Sequence, residues 1–235
     1  MTSASPSAAA AAGVPSVEVA AAVVFDADGV LVDTQPAWAA ARRALFNKHG
    51  RQFGDAEHRQ TLGTGIAGTA ETLAARLGEP DQAGDLRDEL ISLLIEEVSE
   101  TPPRSLPGAI ELLDELRGEL PTAVASNSPR VLLERSLKAA RLDGLFDAVL
   151  GVDDVAHAKP APDLYLAAVK RLDAAPKQTV AVEDSPTGIT SARRAGLSVI
   201  AVQSHAHVSL DGDLVVESLD DPRVRARLRP AREAE

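Results

Sequence analysis

Short apolar runs alternating with helical stretches constrain this chain more than any other feature. The first run, Val19 to Asp26 (V-A-A-A-V-V-F-D), is apolar throughout and ends on an acid. That is the pattern of a strand covered on both faces. Comparable runs recur at Thr122–Ser126, Ala148–Val152, Thr179–Asp184 and Ser198–Val202, with a weaker sixth at Asp213–Val216. Between them Gly108–Arg117, Pro129–Ala140 and Pro162–Leu172 have helical spacing, the last opening on a proline, a normal first-turn residue. Strands separated by helices need crossover connections, which are right-handed and leave the strands parallel. An open parallel sheet with helices on both faces is expected.

One region breaks the alternation. From Trp38 to about Thr101 there is helical spacing and no strand candidate. Leu86, Leu90, Leu93, Leu94 and Val98 recur every three or four residues, with Asp88, Glu89, Glu96 and Glu97 elsewhere on the same helix. Gln35-Pro36 marks the near joint and the stiff Thr101–Pro107 segment the far one, so the insert is expected to hinge over the sheet. The expected class is α/β: a Rossmann-like parallel core over 18–36 and 104–235, plus an all-helical cap over 37–103. Residues 1–17, built of alanine, serine and proline with no basic residue before Arg42, are expected to form a disordered tail. A secretory signal needs a basic start and a bulky apolar stretch, so a cytoplasmic protein is expected.

Composition removes whole classes of function. The chain of 235 residues is 45% hydrophobic and 25% charged, the balance of a globular protein. No run approaches the roughly 20 apolar residues that cross a bilayer, so no membrane partner is expected. There is no cysteine, which excludes disulfides, zinc ribbons, iron–sulfur clusters and thiol nucleophiles. Lys and Arg number 24 against 35 Asp and Glu, a net charge of −11. That argues against nucleic acid, whose phosphates need a basic surface. A phosphorylated ligand would need a metal cation or a few well-placed lysines.

Clustered carboxylates are the counterpart of that need. Ligands of an open parallel sheet bind beyond the carboxyl ends of its strands, and those ends here carry Asp26, Asp28, Ser126, Asn127, Glu183 and Asp184. Four acids at one edge repel unless a cation holds them or some stay protonated. Oxygen donors without cysteine or histidine favour Mg²⁺ over zinc. Taken singly, each residue has a plainer reading. Asp184 could cap a helix from Thr187, Ser126-Asn127 could cap one from Pro129, and Lys159 could be a surface lysine at a helix start. Trp38 and the insert's leucines read as core. His205-Ala206-His207 has metal-binding spacing without nearby partners, and Gly63, Gly65 and Gly68 read as a turn of the insert.

Four motifs in order resemble the haloacid dehalogenase superfamily, in its subgroup with a helical cap after the first strand. They are F-D-A-D-G-V-L-V-D-T from Phe25, Ser126-Asn127, Lys159-Pro160-Ala161-Pro162 with Tyr165 beyond, and V-E-D-S-P-T-G-I from Val182. The resemblance covers roughly 20–203 and implies roles for its residues. Asp26 would be the nucleophile that forms an aspartyl-phosphate, and Asp28 the acid and base. Asp26, the Asp28 carbonyl and Asp184 would hold Mg²⁺, with Glu183 behind them. Ser126, Asn127 and Lys159 would grip phosphoryl oxygens.

The implied activity is a Mg²⁺-dependent phosphatase acting on a small phosphorylated metabolite, a sugar phosphate by the Asp33–Trp38 stretch and the last motif; a monomer is expected only as the default. The alternative is a β-phosphoglucomutase-type enzyme, which would need basic cap residues for a second phosphate. The Thr61–Gly68 turn has none, although Arg59 and Arg76 lie nearby. Dehalogenating relatives lack an acid at the place of Asp28, and a phosphonate hydrolase would want a cap lysine, of which Lys48 is the sole example. A non-catalytic binding protein on the same scaffold is the remote alternative; both Asp26 and Asp28 speak against it.

Overall fold

The structure is a computed structural model that describes residues 20–61, 65–203 and 209–228. The expected tail at 1–17, the Leu62–Thr64 part of the turn and the His205–His207 pair lie outside the described residues.

Six strands form one sheet: β1 (Ala22–Phe25), β4 (Thr122–Ala125), β5 (Ala148–Leu150), β6 (Thr179–Glu183), β7 (Ser198–Val202) and β8 (Leu214–Val216). Their order across the sheet is β5-β4-β1-β6-β7-β8, and every pairing is parallel. The chain first steps from β1 to β4 and β5 on one side, then crosses to β6, β7 and β8 on the other. The strands beside this reversal, β1 and β6, therefore flank the crevice where such sheets bind ligands. Phe25, the last residue of β1, lies opposite Val124 on one side and Val182 on the other.

Each apolar run divides its side chains between two cores, as the two-residue period of a strand requires. Val23 and Phe25 face one side with α5 (Ala109–Leu116), α6 (Arg130–Ala139) and α9 (Pro222–Leu228), through Leu113, Leu133 and Val224. Ala22 and Val24 face the other with α7 (Asp163–Arg171) and α8 (Pro186–Arg194), through Leu164, Tyr165 and Ile189. Cover on both faces is why these runs read as continuous apolar segments.

The insert holds α1 (Gln35–Lys48), α2 (Asp55–Thr61), α3 (Gly65–Leu77) and α4 (Ala83–Glu100). Trp38, Leu45 and Phe46 of α1 pack against Leu73 of α3 and against Leu86, Leu90, Leu94 and Val98 of α4, with Leu93 half-buried at the edge. Leu132 of α6 also enters this cluster, so the insert rests on a helix of the sheet layer. Arg42 lies buried over the Trp38 ring and donates to Thr69 Oγ1 and the Thr61 carbonyl. Burial pulls its guanidinium down to about 10.

Three expectations need correction. α1 already begins at Gln35, with Pro36 in its first turn, because a missing N–H costs nothing there. The far joint is not simply a stiff connector: β3 (Arg104–Ser105) pairs antiparallel with β2 (Val32–Asp33), closing a two-stranded ribbon across both ends of the insert. Gly65 and Gly68 belong to α3 rather than to a turn.

Candidate active site

The C-terminal ends of β1 and β6 bring Asp26, Glu183 and Asp184 together. Asp26 is the residue after β1, and its N–H donates to the Val182 carbonyl at 2.8 Å, which carries the ladder one step past the strand. The chain then turns sharply, with Gly29 at φ +82°. A side chain at Gly29 would run into the Asp184 carboxylate, so glycine is required there twice over. Asp26, Glu183 and Asp184 each offer a carboxylate oxygen within 4.8 Å of the others.

Lys159 is no surface lysine. Its side chain is 3% exposed, and its ammonium donates to Asp26 Oδ1 and to Glu183 Oε1, each at 2.6 Å. The backbone before Pro160 is cis. Burial alone would lower this ammonium, but the carboxylates of Asp26 and Glu183 outweigh it and hold the group above the ordinary lysine value. For Asp26 burial wins. Its carboxyl lies well above the usual range, with Glu183, Asp184 and Asp28 adding to the shift and Lys159 opposing it.

Glu183 is fully buried, and protein donors occupy both of its oxygens. Oε1 accepts from Lys159 and from the Tyr165 hydroxyl at 2.7 Å. Oε2 accepts from Asp184 N, Ser185 N and Ser185 Oγ at 3.2, 3.4 and 3.1 Å. The carboxylate lies against the bare Cα of Gly188 in α8, where any Cβ would overlap it. The helix cap is Ser185, not Asp184: its Oγ accepts from Gly188 N at 3.0 Å.

Asp28 is held by two hydroxyls. Thr34 Oγ1 donates to Oδ1 at 2.6 Å and Ser128 Oγ donates to Oδ2 at 2.9 Å. Ser126, at the end of β4, is buried and accepts from Ser128 N through its Oγ at 3.1 Å. Asn127 turns to Lys159: its Oδ1 accepts from Lys159 N at 2.9 Å, and its Nδ2 donates to the Lys159 carbonyl at 3.2 Å. Neither residue caps α6, since Asp153 Oδ1 accepts from Arg130 N at 2.8 Å instead.

Sequence reading assigned no role to Ser128, Thr34, Tyr165 or Gly188. Thr34 and Gly188 stand inside the quoted motifs, and Tyr165 just beyond one of them. Ser128 had one local signal, its place two residues beyond Ser126, whose hydroxyl accepts from its N–H.

The fold and this cluster define the class: an α/β enzyme core with acids, a buried lysine and hydroxyls at the strand ends beside a topological switch. The chain belongs to the haloacid dehalogenase-like hydrolases, whose family model matches residues 20–196. It is 31% identical over 214 residues to the bifunctional riboflavin kinase/FMN phosphatase of Arabidopsis thaliana, covering 88% of this chain but 55% of that protein. The chain thus spans about half the length of that relative. It is 30% identical over 202 residues to the phosphorylated carbohydrates phosphatase of Thermotoga maritima, covering 84% of this chain and 90% of that one. Among solved structures it is similar to CbbY from Rhodobacter sphaeroides in complex with phosphate. There the TM-score is 0.75 at 28% identity, over 86% of this chain and 96% of that one. Among the described residues no helix is long and apolar enough to cross a membrane.

Proposed function

We propose that this chain is a Mg²⁺-dependent phosphatase that hydrolyses a small phosphorylated metabolite, a sugar monophosphate, through an aspartyl-phosphate on Asp26. The observation that carries the reading is the pairing of two acids at one strand end in different surroundings. Asp26 is buried against Lys159, and Asp28 is held between two hydroxyls. Separate environments for neighbouring carboxyls are how one site supplies both a nucleophile and a proton carrier. The phosphatase relative from Thermotoga and the phosphate complex of the Rhodobacter structure support the same chemistry.

The donor set fits a hard dication. Its side-chain donors are carboxylate oxygens, which suit Mg²⁺. Glu183 already accepts five hydrogen bonds, so Asp26, Asp184 and the Asp28 carbonyl would hold the ion while Glu183 orients Lys159 and Asp184. When bound, the ion would offset the acids and the charge of the transferring phosphoryl group.

An oxygen of Asp26 forms the bond to phosphorus as the bond to the sugar oxygen breaks, and Asp28 gives its proton to that leaving oxygen. Asp28 then takes a proton from water, whose oxygen attacks phosphorus and returns Asp26 as a carboxylate with inorganic phosphate released. The Ser126 hydroxyl and the Lys159 ammonium hold phosphoryl oxygens throughout. Asn127 contributes its backbone N–H, because its side chain is committed to Lys159. The insert 37–103 acts as the lid that keeps bulk water out during transfer. A monomer in the cytoplasm completes the proposal.

A mutase on this scaffold would need a second cationic site in the lid. Arg76 pairs with Glu57 at 2.9 Å and with Gln60, while Arg59 stands exposed on α2 near Glu57 and keeps the mutase as the alternative. The test is the fate of the phosphoryl group. Purified protein with Mg²⁺ is expected to release inorganic phosphate from hexose or pentose monophosphates. Conversion of β-glucose 1-phosphate to glucose 6-phosphate with little phosphate release, given bisphosphate primer, would promote the mutase instead.

A further inference from the structure

Lys159 carries a buried ammonium on an exposed loop. His157, Ala158 and Pro160 beside it face solvent, so apolar packing does little to hold this backbone. Side chains from two other parts of the fold hold it instead. The Asn127 amide spans the backbone of Lys159 itself: its Oδ1 accepts from Lys159 N at 2.9 Å and its Nδ2 donates to the Lys159 carbonyl at 3.2 Å. Arg194 of α8 donates to the next carbonyl, that of Pro160, at 3.0 Å. Ser191 Oγ donates to the one after, that of Ala161, at 2.5 Å. Each carbonyl of the Lys159–Ala161 run is thus matched to a side-chain donor.

The tip of the lysine is held by other means. Asp26 Oδ1 and Glu183 Oε1 accept from its ammonium, each at 2.6 Å. The first of these partners changes during the proposed reaction. When Asp26 carries the phosphoryl group it is no longer a carboxylate, and its bond to Lys159 loses the charge on the acceptor side. A flexible four-carbon stem then keeps its aim only if its root is fixed.

We propose that Asn127 is a positioning residue: its side-chain amide fixes the Lys159 backbone, with Arg194 securing the adjoining carbonyl, so that the ammonium stays on the phosphoryl oxygens while Asp26 carries the phosphoryl group. The assignment rests on the phosphatase reading above. It gives the Asn127 side chain a task separate from that of its backbone N–H.

Asn127→Ala removes both bonds to Lys159 and keeps the backbone N–H. With Mg²⁺ and p-nitrophenyl phosphate, its kcat is expected to fall about ten- to hundred-fold, the usual penalty for a group misplaced by about an ångström. Inhibition by inorganic phosphate should change less than about three-fold, since Asp26 is then a carboxylate and still holds the ammonium. A merely structural asparagine would lower the melting temperature and leave kcat per folded molecule alone. Arg194→Ala, on the exposed face of α8, should lower kcat about three- to five-fold, the worth of one net hydrogen bond. In a Lys159→Met background, adding Asn127→Ala should change kcat less than about two-fold, because the lysine it acts through is gone.

A kcat for Asn127→Ala within about two-fold of wild type overturns the assignment, and so does a full further loss on top of Lys159→Met. If Lys159→Met shows no turnover, the split between kcat and phosphate inhibition decides. If Asn127→Ala fails to fold, Arg194→Ala decides, and an unchanged kcat there overturns the proposal. Wild-type protein that hydrolyses the ester while these variants match it overturns the role of Asn127 alone. Wild-type protein that neither hydrolyses the ester nor binds phosphate overturns the phosphatase reading, and this assignment with it.

Discussion

Replacing Gly188 with alanine sets two effects against each other. Alanine is the better helix former by up to about 1 kcal/mol, and Gly188 lies in α8 without a positive φ. On propensity alone the substitution stabilises. The added Cβ, however, would fall on the Glu183 carboxylate. Crowding a packed interior costs about 1–3 kcal/mol, and each hydrogen bond to a charged group that is lost costs about 1.5–3 kcal/mol. Losing one of the five bonds to Glu183, plus the crowding, outweighs the propensity gain and leaves a net destabilisation of about 2–5 kcal/mol. Gly84 is the control. It is exposed in the first turn of α4 with nothing within 4 Å of an added Cβ, so Gly84→Ala should be neutral or stabilising by up to about 1 kcal/mol. Urea unfolding followed by far-ultraviolet circular dichroism measures both. A Gly188→Ala protein as stable as wild type would refute the reasoning, since Glu183 would then have room to move.

Asp26→Asn should keep the fold but lower turnover of a phosphate monoester to less than about a tenth of wild type, because an amide cannot form the acyl-phosphate; circular dichroism checks the first part and phosphate release the second. Excess EDTA should stop turnover and Mg²⁺ should restore it, while Asp184→Ala should raise the Mg²⁺ needed for half-activity about ten-fold or more. Protons should compete with the ion: burial holds the Asp26 carboxyl above its usual range, and its protonated form cannot bind a cation, so apparent Mg²⁺ affinity should fall as pH falls. An affinity that rises toward low pH would contradict this sign. Ser128→Ala removes the donor 2.9 Å from Asp28 Oδ2 and should lower kcat about ten-fold with a much smaller change in KM; equal kcat values would show that Asp28 is held by Thr34 alone.

The parts legible in the sequence were those with a local period. Strands buried on both faces announce themselves as unbroken apolar runs, so all six sheet strands fell inside predicted segments, usually trimmed at the ends. The leucine spacing of α4 identified the insert for the same reason. The meeting of Asp26, Glu183 and Asp184 was legible because short motifs put them at the ends of β1 and β6. What no local signal carried was partnership across the fold. The β2–β3 ribbon has two residues on each side and pairs segments separated by the whole insert, too short for any period to show. Nothing local tied the Asn127 amide to the Lys159 backbone, which the crossover between β5 and β6 brings to it. The hold of Ser128 on Asp28 depends likewise on β4 lying beside β1. Sequence decides which residues can bury apolar surface and which must end a strand. The order of strands in the sheet decides which charges meet, because a buried acid is stable only where the chain's return path delivers its donors.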